Sequence, residues 1–99
     1  MTAFGIGNTT SYLSDAQVEG VVGRGLDSLQ LAGKRVLVII PDSTRTMPLP
    51  MFFRQITNNL LGKVAQLDFL IALGTHPAMS EEAILRLVGI SAEEKAGKY

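Results

Sequence analysis

Two short apolar runs, "RVLVII" (Arg35 to Ile40) and "LDFLIAL" (Leu67 to Leu73), constrain the fold of this chain more than any other feature of it. Both are too short for independent buried helices, and the first is rich in β-branched residues, so they read as strands. Between them Phe52, Phe53, Ile56 and Leu60 recur at helical spacing, with Pro48 and Pro50 tolerable in a first helical turn and Gly62 near the helix end. Strand, helix and strand in this order form a βαβ unit, whose strands are parallel and whose crossover is almost always right-handed. The predicted class is therefore α/β: a small three-layer, Rossmann-like domain with a parallel sheet built around that unit. Continuous apolar runs of this kind belong to strands covered on both faces.

The flanking segments read as helices with a loop before them. Ser14 and Gln17 fit a capping box, and Val18, Val21, Val22, Leu26 and Leu29 extend a helix from about Asp15 to Leu31, weakened by Gly20, Gly23 and Gly25. "LAGK" then supplies a stop, and Pro41 ends the first strand. After Gly74, Ser80 is positioned as an N-cap, with Glu81 and Glu82 in the positive first turn and Ala83, Ile84, Leu87 and Val88 as the buried stripe. Ser91 and Glu94 can cap one more helix. Residues Met1 to Leu13 show no clear period and read as a loop or one short edge strand.

Composition narrows the function classes. Ninety-nine residues suit a single domain over 1–99, one that buries somewhat more than ~60% of its unfolded surface. A hydrophobic share of 46% argues against disorder, and nine basic against nine acidic side chains leave no field to draw nucleic acid or an anionic membrane. The start lacks a basic segment followed by an apolar one, and no apolar run approaches the ~18 residues of a membrane span, so a cytoplasmic protein is expected. With one histidine and no cysteine, a closed structural metal site cannot be built from this chain. The pairs "GIG" and "GRG" lack the strand–turn–helix setting of a dinucleotide loop.

The unusual polar residues gather after the two strands, in "PDSTRTMP" and "GTHPAMS". In an open parallel sheet the ligand crevice lies beyond the carboxyl ends of the strands, and neighbouring strands are ~4.8 Å apart, so Arg45 and His76 can face one cleft. Arg45 offers a planar fork for a carboxylate or phosphate, and an imidazole can take and return a proton near neutral pH. Asp42 is close enough in sequence to orient that guanidinium or to accept from a ligand hydroxyl, while Ser43 and Thr44 can donate to an anion. Each loop also leads into a helix N-terminus that favours negative charge. Pro77 holds His76 out of the following helix. The plainer alternative is that Asp-Ser-Thr is ordinary turn chemistry and His76 a solvated loop residue, in a stand-alone α/β module that binds a small anion without catalysis. A domain that pairs with a separately encoded subunit is also compatible with the residues.

Taken as an ordered pair, "PDSTRTMP" and "ALGTHPAMSEE" resemble the Asp-x-Thr-Arg and Ala-Leu-Gly-Thr-His segments of the lactate racemase N-terminal domain, over most of residues 30 to 90. The resemblance implies an isomerase of 2-hydroxy acids, a racemase or epimerase that moves the α-hydrogen as a hydride onto a nickel-pincer nucleotide. It implies His76 as the catalytic acid/base, Arg45 with Asp42 and Thr44 at the substrate, and Asp42, Ser43 and Thr44 beside the cofactor. The cofactor-bearing lysine, the nickel-binding histidine and a second catalytic histidine are implied to lie outside this chain, and Lys34, Lys63, Lys95 and Lys98 match none of these positions by motif. The chain is then expected to be a fragment of a longer two-domain protein, inactive by itself, with the C-terminal domain of the same protein as partner and a tendency to self-associate. Pro77 stands where the family often has arginine.

Overall fold

The computed structural model describes residues 5–99, which form α1 (Asp15–Ser28), β1 (Arg35–Pro41), α2 (Leu49–Leu60), β2 (Gln66–Ala72), α3 (Glu81–Val88) and α4 (Ala92–Gly97). β1 and β2 pair side by side as parallel strands of one sheet, joined through α2. The α/β class and the parallel pairing expected from the sequence therefore hold. Residues 5–13 contain neither helix nor strand, and the first four residues of the expected loop or edge strand lie outside the described residues. Among the described residues no helix is long and apolar enough to cross a membrane.

The described residues divide into two compact units, one running up to Val36 and including Arg54–Leu67, the other comprising Leu37–Phe53 and Asp68–Tyr99. In the first, α1 starts as expected: Ser14 Oγ accepts from Gln17 N at 3.1 Å, and Gln17 Oε1 accepts from Ser14 N at 2.8 Å. Val18, Val21, Val22 and Leu26 are half-buried along one stripe. The helix stops at Ser28, short of the expected Leu31, because Gln30 takes a left-handed φ of 52° and breaks the ladder, leaving Leu29 46% exposed. Backbone bonds from Gly33 N to Lys63 O (2.9 Å) and from Ala65 N to Lys34 O (2.8 Å) set the strands side by side at their starts. Gln55 and Thr57, invisible to an apolar-stripe reading, are both buried, and Gln55 Nε2 donates to Asp15 O at 3.5 Å.

In the second unit Ile40, Leu49, Phe53 and Val88 form the buried core, with Val38, Phe69, Ile71, Leu87, Ile90 and Tyr99 packed on it. The Phe53 ring lies 4.8 Å from that of Phe69 and 5.1 Å from that of Tyr99, both tilted, as the ring quadrupoles favour. α3 is held at both ends: Ser80 Oγ accepts from Ala83 N, and Gly89, at φ 73°, lets its own N–H and that of Ile90 close on Leu85 O. α4 has the capping box expected of Ser91 and Glu94. The strands differ from expectation in one respect. Burial alternates along both, and Leu37, Ile39 and Leu70 are 58%, 65% and 51% exposed, so one face of the sheet packs on the core and the other faces outward. Their apolar content exceeds what the packing of these residues uses.

Candidate active site

Each strand of the second unit ends in a tight turn, and the two turns carry the candidate residues. After β1, Arg45 N donates to Asp42 O at 3.4 Å, while Asp42 Oδ1 accepts from Thr44 N at 3.1 Å and from Thr44 Oγ1 at 2.6 Å. This is the Asx-turn that an aspartate two residues before a threonine favours. After β2, His76 N donates to Leu73 O at 3.0 Å, a reversal made possible by Gly74 at φ 60°. His76 is therefore the last residue of a turn, ahead of Pro77 and outside any helix.

The turns bring together side chains that are far apart in sequence. His76 Nδ1 lies 2.5 Å from Asp42 Oδ2, and Asp42 is only 5% exposed whereas the His76 side chain is 47% exposed. The Thr44 hydroxyl and the His76 imidazole together hold the Asp42 carboxyl down at about 2, below its ordinary 3.8, so it is a carboxylate at neutral pH. Both of its oxygens are engaged by protein groups.

An open cleft of about 620 Å³ lies over the ends of the strands. Its lining includes the polar Asp42, Arg45, Thr75 and His76 and the apolar Ile39 and Ala72. Arg45 and His76 thus share one cleft, and the exposed Arg45 guanidinium has no hydrogen-bond or ion-pair partner among the described residues. Ser43 and Thr44 do not line it: Ser43 is exposed on the turn, and the Thr44 hydroxyl is turned to Asp42. No residue of α2 or α3 lines it either, so the negative charge it suits is met by Arg45 and not by a helix terminus. Glu81 is turned to another partner, Lys95, which holds its carboxyl below the usual range. The contact between Asp42 and His76 is not visible in the sequence, where the neighbours of Asp42 point to Arg45, a ligand or another protein group without singling out His76. No periodicity links positions 34 apart.

Neither a lysine nor a cluster of three metal-ligating side chains is found at this cleft among the described residues. Attachment of a nucleotide and a full set of nickel ligands are therefore not supplied by the residues that line it. What the cleft does offer is an unpartnered guanidinium for a carboxylate, an imidazole whose second nitrogen is unspent, and apolar side chains beside them.

Residues 11–96 match the family model described as lactate racemase N-terminal domain. No curated protein and no solved structure matches the chain.

Proposed function

The chain belongs to the lactate racemase N-terminal domain family, and from that premise we propose that it supplies the carboxylate-binding and proton-handling side of an active site that interconverts the stereoisomers of a 2-hydroxy acid. The observation that carries this reading is the placing of an unpartnered arginine and a half-exposed histidine in the lining of one cleft. Arg45 holds the substrate carboxylate through its fork of N–H donors. His76 accepts the hydroxyl proton through its unspent nitrogen as the carbon is oxidised to the keto acid, and returns that proton when the hydroxy acid is re-formed. Ile39 and Ala72, which also line the cleft, offer the substrate's carbon chain apolar contacts.

The α-hydrogen needs a hydride acceptor, which in this reading is a nickel-pincer nucleotide attached to a lysine outside these 99 residues. Nothing in the cleft takes over that role. The remaining polar residues of the first loop divide in two: Asp42 and Thr44 are bonded to each other, while Ser43 and Thr46 are exposed and can meet a ligand beside the turn.

The test is made on the complete enzyme, with lactate and one longer-chain 2-hydroxy acid as substrates and chiral chromatography as readout. Arg45→Ala is expected to raise KM for both acids, by about 10-fold or more for loss of a charge-assisted bidentate contact. His76→Ala is expected to abolish turnover. Undiminished racemisation by the His76→Ala enzyme would remove the assigned role.

A further inference from the structure

Asp42 is held through both of its carboxylate oxygens by protein groups. Its Oδ1 accepts two hydrogen bonds from Thr44, its Oδ2 lies 2.5 Å from His76 Nδ1, and 95% of it is covered, taking its 5% exposure from the whole. A carboxylate can only accept, so the Nδ1 that faces it must carry a proton. That leaves Nε2 as the acceptor in the neutral ring of a half-exposed side chain that lines the cleft. Protonating Nε2 leaves the Asp42 contact intact, so the ring can load and unload a proton without turning.

We infer that Asp42 is a positioning residue for His76: pinned on one oxygen by Thr44, it fixes the imidazole with Nδ1–H toward the protein and Nε2 toward the cleft. The order of residues follows from this. Thr44 holds the carboxylate in one rotamer, the carboxylate selects the tautomer, and the tautomer presents a base to the cleft. A bond that merely stapled the two turns would need the same tautomer, so it is the kcat of the complete enzyme, and not the tautomer, that separates a positioning role from a structural one. The catalytic consequence rests on the acid/base role proposed above for His76; the tautomer does not.

The experiment is long-range ¹H–¹⁵N correlation of the His76 ring in the 99-residue chain, at a pH high enough for the ring to be neutral. The native chain is expected to show the Nδ1–H form; a native Nε2–H form overturns the inference without any variant being made. In Asp42→Asn the amide oxygen can still accept from Thr44 while its NH₂ faces Nδ1, so the ring is expected to switch to Nε2–H. Retention of Nδ1–H in that variant overturns the inference as well. Thr44→Val, which removes the pin, is expected to give a mixture of both forms. In the complete enzyme Asp42→Asn should lower kcat by on the order of 10²- to 10⁴-fold, the range of a lost general base, with KM for lactate changed by less than about threefold. A tautomer switch with unchanged kcat would uphold the positioning of the ring and overturn the acid/base role of His76, so the two readings fail separately.

Discussion

Replacing Gly89 by alanine tests how α3 is ended and seated. Gly89 has φ 73°, and a Cβ built there would lie 2.7 Å from Cβ and 3.1 Å from Cγ of Pro50, at the first turn of α2. Two penalties combine. Left-handed backbone costs an alanine about 1–2 kcal/mol, and forcing a methyl into an occupied space typically costs about 1–3 kcal/mol. Their sum, about 2–5 kcal/mol, is a large part of the roughly 5–15 kcal/mol that a chain of this length has in total. Gly74→Ala is the control, since φ is 60° there but nothing lies within 4 Å of the added Cβ. Urea unfolding followed by circular dichroism would give both values, and Gly89→Ala should lose at least about 1 kcal/mol more than Gly74→Ala. In a double-mutant cycle, Pro50→Gly should recover most of that excess, because it removes the atoms the methyl meets. Equal losses at Gly89 and Gly74, or no coupling to Pro50, would refute the steric part of the reasoning.

Other perturbations follow from the same geometry. Asp42 titrates lower in the fold than its ordinary 3.8, so the stability it contributes is complete above that value and is lost as the pH falls toward about 2; acid titration of unfolding should show this loss in the native chain and a smaller one in Asp42→Asn. Gln30→Gly should relieve the left-handed strain at φ 52° and raise the urea midpoint, with a gain of at most about 1 kcal/mol. Ser80→Ala removes the side chain that accepts from Ala83 N and should cost about 1 kcal/mol, read by the same denaturation. Phe53→Ala should cost about 3–5 kcal/mol, because its ring fills the core against Phe69 and Tyr99.

Much of the fold was legible in local patterns. The capping boxes at Ser14 and Ser91, the N-cap at Ser80 and the two apolar strands all act over a few residues, so spacing reveals them. The end of α1 was misplaced for a related reason: the glycine of "LAGK" is the obvious stop, but the chain turns earlier, at Gln30, a residue type that rarely accepts positive φ. The burial of Gln55 and Thr57 could not be read either, since polar residues inside a helix look solvent-facing until a neighbouring element covers them.

What the sequence by itself determined was the order of elements, the parallel pairing that a strand–helix–strand order imposes, and the placing of the polar loops that hold Arg45 and His76 beyond the strand ends. Those follow from periodicity and chain connectivity. Only the tertiary structure decided that Asp42 meets His76 and not Arg45, that Thr44 serves Asp42 and not the cleft, and that one face of both strands is left outward. These depend on turn geometry and on distances of a few ångströms between residues remote in sequence, which residue types alone do not encode.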